Sequence, residues 1–126
     1  MAQYESSKVV SFTAASAVAA SGLFVEANSA GDFNCSTANA DTDRPVGVSV
    51  EAAASTGDAV GVAISGIVVV TSGAAVAIGD QVAPDAAGKA RPAASGDSMC
   101  GTALQAAAGA DESISILLGY QGQVVE

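Results

Sequence analysis

The residues able to do chemistry in this chain are few, and their spacing does not assemble a reaction. There are 13 acids, four bases and no histidine. Without an imidazole there is no Ser-His-Asp or Cys-His relay and no basis for a zinc site. A Ser-Lys or N-terminal-nucleophile mechanism would need a lysine set in a motif, and neither Lys8 nor Lys89 has one. Gly88-Lys89 is not a phosphate loop. Ala83 stands where the leading glycine belongs, and Ala90 where a serine or threonine would hold magnesium. Asp111 and Glu112 are adjacent at a turn and lack the apolar shielding and aromatic subsites of glycosidase acids. Asp41 and Asp43 resemble the start of a calcium loop, but its other ligands, its glycine and its closing glutamate are missing. Both pairs read as solvated turn acids. No catalytic residue, metal ligand or cofactor is expected.

Two cysteines complete the reactive inventory, Cys35 and Cys100. The opening MAQYESSKVV has no basic segment ahead of an apolar one, so it does not read as a signal peptide. A reducing compartment keeps both thiols free and buried, and a 35–100 disulfide is the alternative. The longest apolar run, Ile67-Val68-Val69-Val70, is far shorter than the ~18 residues of a spanning helix.

The elements that must position these residues follow from composition. The 126 residues fit one domain with one modest core. Half are apolar, mostly alanine with valine behind it, and aromatics make up 4%. Such a core buries little area per residue, so the fold is expected to gain stability from a partner or from self-association. A net charge of −9 with four basic residues gives no phosphate-binding footprint and repels anionic membranes, so neither nucleic acid nor membrane is an expected partner.

Taken in order, residues 1–7 read as a polar arm and residues 8–13 (KVVSFT) as a first strand. Residues 14–21 are alanine-rich without an amphipathic stripe, and read as a loop or one helical turn. A short strand at 22–26 leads into a turn-rich stretch, 27–44, with a brief strand around Phe33 and Cys35. Val46, Val48 and Val50 alternate with Gly47, Ser49 and Glu51, as in a half-buried strand. Val60, Val62 and Ile64 resume the pattern, Gly66 allows a bend, and 67–70 reads as a core strand. Residues 80–92 form a hairpin. Cys100, Thr102 and Leu104 share one face, followed by Ile114, Ile116 and Leu118. Residues 120–126 read as a C-terminal tail. The whole is expected to be mainly β: a small single-domain barrel or sandwich of short antiparallel strands with an extended N-terminal arm. Its parts are an arm and first strand at 1–13, a β domain at 14–119 and the tail.

One phrase occurs twice. Residues 44–66, RPVGVSVEAAASTGDAVGVAISG, and residues 99–119, MCGTALQAAAGADESISILLG, align without a gap at an offset of 54. Gly47 meets Gly101, Asp58 meets Glu112, and Val60 and Val62 meet Ile114 and Ile116. In a chain this rich in alanine and valine, the match is either a structural repeat or a product of composition.

The order PVGVSVEAAASTGDAVGVAISGIVVV, AIGDQVAPDAAGKARPA, CGTALQAAAGADESISILL resembles the small capsid decoration, or cement, proteins of tailed phages. The resemblance covers residues 8–118. It rests most on the hairpin from Gly79-Asp80 to Lys89 and on the closing strand pair. It implies a β-rich structural protein, made in the host cytoplasm, that binds the major capsid protein on the outside of an icosahedral head as a homotrimer. Tyr4, Lys8, Val9, Val10, Phe12, Ile67, Val69, Val124 and Val125 are the candidate capsid or subunit contacts. Another phage assembly or tail protein, or a surface-layer module, is the competing reading.

Overall fold

The computed structural model describes residues 5–39, 45–94 and 97–124. Nine strands form one sheet, and no helix occurs among the described residues. They are β1 (Glu5–Ala14), β2 (Phe24–Ala27), β3 (Asn34–Thr37), β4 (Gly47–Ser49), β5 (Ala59–Thr71), β6 (Gln81–Pro84), β7 (Ala90–Pro92), β8 (Ser98–Ala103) and β9 (Ser113–Val124). The mainly-β expectation holds, although β1, β5 and β9 are long and β1 runs parallel to β3. The sheet order is β1-β3-β2-β4-β5-β9-β8-β6-β7. An additional β1–β5 pairing closes the first five strands into a circuit. A parallel bridge from Ser72 to Ala90 closes β5, β9, β8, β6 and β7 into a second.

These two circuits are copies of one plan. In the first, Val48 pairs with Ala63 and Ser49 with Val62; in the second, Thr102 pairs with Leu117 and Ala103 with Ile116, at the offset of 54. The Val50 N–H donates to the Gly61 carbonyl, as Leu104 N–H does to Ser115. Glu51 Oε1 accepts from Gly61 N–H, and Gln105 Oε1 from Ser115 N–H. The isolated bridges repeat as well: Val18 with Ala53, then Val76 with Ala107. The duplication also reaches N-terminal segments whose sequences do not reveal it. β1 pairs with the first part of β5 as the second part of β5 pairs with β9, so Val10 opposite Val62 corresponds to Val68 opposite Ile116. The β2–β3 hairpin corresponds to β6–β7.

β5 therefore serves both halves. Its residues from Ala59 to Ser65 pair with β1 and β4, those from Gly66 pair with β9, and Ile67 also meets Glu5 of β1. Gly66 sits at that change of partners with φ 86°, in the left-handed region where a side chain is strained. Gly66→Ala is expected to cost about 1–2 kcal/mol, read as a lower urea midpoint at unchanged m-value.

The first core gathers Ala14, Val18, Val25, Cys35, Ala53, Val60 and Val62. The second is larger because it adds the junction: Phe24, Val48 and Ala63 of the first half pack with Val68, Val70, Val82, Ile114 and Ile116 of the second. This selects between two alternatives for one segment and corrects two expectations. Of the loop or helical turn expected at residues 14–21, the loop holds, since Val18 is tied to Ala53 through both N–H and carbonyl. β4 is not half-buried: Gly47, Val48 and Ser49 are all buried, because one face meets the first core and the other the junction. Cys100 does not share a face with Thr102 and Leu104. A register shift between Met99 and Gly101 leaves Cys100 in the second core, whereas Leu104 is exposed. β9 continues to Val124, opposite Ser98, so residues 120–124 are strand.

Candidate functional site

The acids are engaged in holding turns. Asp58 Oδ2 accepts from Ser55 N–H at 3.1 Å, and in the equivalent turn Glu112 Oε2 accepts from Ala108 and Gly109 N–H at 3.0 Å. Asp80 Oδ2 accepts from Ala77 N–H, and Asp85 Oδ1 from Ala87 and Lys89 N–H. Asp97 is buried, accepts from Ala94 N–H at 2.7 Å and pairs with Arg91 at 2.9 Å. The Asp111 carboxylate meets Lys89 Nζ at 2.5 Å, and its hydrogen bond and charge raise the lysine pKa. Asp41 and Asp43 lie outside the described residues. Each described carboxylate named here satisfies backbone N–H groups or a cation at a turn, and Asp111 and Glu112, expected as solvated turn acids, are exposed at one.

Neither cysteine is in a disulfide and both are buried, Cys35 in the first core and Cys100 in the second. Burial raises both thiols from the ordinary 9.0, Cys100 to about 12. Above pH 9 the unfolded chain ionises thiols that the folded chain keeps protonated, so alkali favours unfolding. Unfolding free energy is expected to fall between pH 9 and 12, by at most about 1.4 kcal/mol per pH unit for Cys100. Urea titrations across that range check it, with Cys100→Ala flattening the slope.

The remaining candidate is surface rather than pocket. Of the contacts expected from sequence, Lys8 is exposed, Val9 is 51% exposed, and Val10 and Phe12 are half-buried, with Phe12 against the first core. Ile67 and Val69 are half-buried on the other side of β5 from Val68 and Val70. Val124 ends β9, and Tyr4 and Val125 lie outside the described residues. The structure thus brings β1 and the middle of β5 side by side, Val9 opposite Ala63 and Glu5 opposite Ile67.

Four further apolar residues that sequence reasoning did not propose as contacts are exposed: Phe33, 66%, Ile78, 71%, Leu104, 42%, and Leu117, 44%. Phe33 has φ 53°, unusual for an aromatic residue, and its ring packs on Phe12 with centroids 5.7 Å apart. The only hint in the sequence was an aromatic residue set between Asp32 and Asn34 in a turn.

The fold is similar to that of the head fiber gp8.5 N base of bacteriophage phi29. The two share 20% identity at a TM-score of 0.74, over 95% of this chain and 98% of that one. At that identity the likeness is one of fold. No curated protein matches the chain. The model of the phage cement protein family matches residues 4–118, both halves of the duplication, and the chain belongs to that family.

Proposed function

We propose that this protein decorates and stabilises the exterior of an icosahedral phage head, binding the lattice of the major capsid protein as a homotrimer. The family match over residues 4–118 carries this reading. The physical character of the chain supports it. Its acids hold turns, and its charge of −9 keeps free copies apart in the host cytoplasm until a lattice collects them. A trimer engaging several capsid subunits needs only modest affinity at each. Tyr4, Lys8, Val9, Val10, Phe12, Ile67, Val69, Val124 and Val125 are the proposed contacts; residues 8–13 are already paired with β5, so the arm proposed to add to a capsid element is residues 1–7. Likeness to a head fiber base favours a second reading, a seat for a longer appendage on the same shell.

The test is mechanical. Heads that lack the protein are heated with and without it, and DNA release is followed by dye fluorescence. Added protein is expected to raise the release midpoint, and removing residues 1–7 to reduce that gain. An unchanged midpoint would count against stabilisation, and full occupancy by the truncated protein would remove the arm.

A further inference from the structure

We infer that the second half presents an open strand edge, Gly79 to Gln81, that takes up an extended, basic segment of the major capsid protein. This contact rests on the decoration reading and gives it a place on the molecule. The first half shows what such an edge does. The Gly22 carbonyl accepts from Thr71 N–H at 2.8 Å, and Phe24 N–H donates to the Gly88 carbonyl at 2.8 Å. These two main-chain bonds tie the first half to the second.

The second half repeats the edge bond by bond. Gly22 N–H donates to the Ser49 carbonyl and Gly79 N–H to that of Ala103, the same position at the offset of 54. The Phe24 carbonyl accepts from Ala38 N–H, and the Gln81 carbonyl from Ala93 N–H. Gly22 and Gly79 make the same left-handed turn, with φ 80° and 90°. A strand residue aims its N–H and carbonyl to one side, so Gln81 N–H faces away from β8 as its carbonyl does. Here the likeness ends. The Gly79 carbonyl and Gln81 N–H have no hydrogen-bond partner among the described residues, and both residues are exposed. A Cβ on Gly22 would lie 3.0 Å from Thr71 Oγ1, whereas the space at Gly79 is open to another backbone.

A second copy cannot fill this edge as the second half fills the first. The parallel pairs Ala14–Cys35 and Ser72–Ala90 make Thr13 and Phe33 the counterparts of Thr71 and Gly88. Thr13 N–H donates to the Phe33 carbonyl at 2.7 Å, so the two groups a copy would offer are bonded to each other. The occupant is therefore a different polypeptide, adding its main chain to an exposed edge. Charge selects its kind. Lys89 and Arg91, the two bases of the second half, are paired with Asp111 and Asp97. Asp80 and Glu112 are balanced by no base among the described residues, in a chain of net charge −9. A segment bearing Lys or Arg is favoured over an acidic one. Ile78, 71% exposed, precedes Gly79, and Leu104, 42% exposed, follows Ala103; they offer apolar contact to alternate side chains of the segment.

Proline at position 81 separates the edge from the fold. It removes an N–H the molecule does not use, at the first residue of β6, where a strand tolerates proline. Co-sedimentation with expanded heads at rising protein concentration gives the affinities. Gln81→Pro is expected to bind on the order of tenfold more weakly than wild type, and Gln81→Ala, which keeps the N–H, like wild type. Wild-type recovery is expected to fall as salt rises. Should Gln81→Pro fail to fold by circular dichroism, hydrogen exchange at the wild-type Gln81 amide reads the same contact: fast in the free protein, and about tenfold slower on heads. Equal binding by folded Gln81→Pro and wild type, or an amide left unprotected on heads, would overturn this contact and leave the decoration reading standing. Protection of that amide in concentrated protein without heads would give the edge to a second copy and overturn it as well. Recovery that rises with salt would exclude a basic segment. Wild type that binds no heads would remove the decoration reading and this contact together.

Discussion

Phe24→Ala is expected to lower the unfolding free energy by about 3–5 kcal/mol, the usual cost of emptying a well-packed aromatic site. Phe24 is the largest fully buried side chain among the described residues, in cores otherwise built mainly of alanine and valine. It belongs by strand to the first half and by packing to the second core. Its loss therefore opens the junction as well as a cavity. With the halves then joined mainly through β5, urea unfolding is expected to broaden, and the fitted m-value to fall below that of wild type. Phe33→Ala is the control. That ring is largely exposed, so the change is expected to stay within about 0.5 kcal/mol. Equal effects from the two substitutions would mean that the junction does not hold the molecule together.

Gly47→Ala and Gly101→Ala are each expected to cost about 3 kcal/mol, and to do so alike, because they are the same position in the two halves. A Cβ on Gly47 would collide with the Ala63 carbonyl oxygen; on Gly101 it would lie 2.5 Å from the Leu117 carbonyl oxygen. Both are backbone atoms of the neighbouring strand and cannot turn aside, so the sheet itself must shift. Gly57→Ala separates this effect from dihedral strain. Gly57 has φ 94° and open space around it, so its substitution is expected to cost about 1–2 kcal/mol without steric collision. Thermal and urea denaturation of the three variants give the comparison. A benign Gly101→Ala beside a damaging Gly47→Ala would show that the two halves are not packed alike.

These two glycines also show how far the sequence could be read. The phrase at 44–66 and 99–119 was visible because its residues do the same work twice: a glycine under a carbonyl, an acid closing a turn, alternating apolar residues facing a core. The rest of the duplication was hidden for an equally physical reason. Phe24 and Gln81 are equivalent by strand pairing, but one is covered by the other half and one faces out, so their side chains diverged in character. Phe33 and Gly88 differ for the same cause. The alternation of Val46, Val48 and Val50 correctly marked a strand. It could not reveal that the strand lies between two packed layers, because glycine and serine on the second face look polar or neutral in a window. The apolar run at 67–70 divides in the fold, with Val68 and Val70 in the core and Ile67 and Val69 half-buried on the other face. The family was legible from the hairpin at 79–89 and the closing strands, and the matched residues, 4–118, take in the stretch where the resemblance was drawn.

Attachment to a phage head is most directly measured by co-sedimentation. Purified protein is mixed with expanded heads and, separately, with unexpanded procapsids, and each pellet is quantified against a protein-only control. Saturable recovery with expanded heads, and none with procapsids, is the expected result. Recovery with neither would contradict the decoration reading.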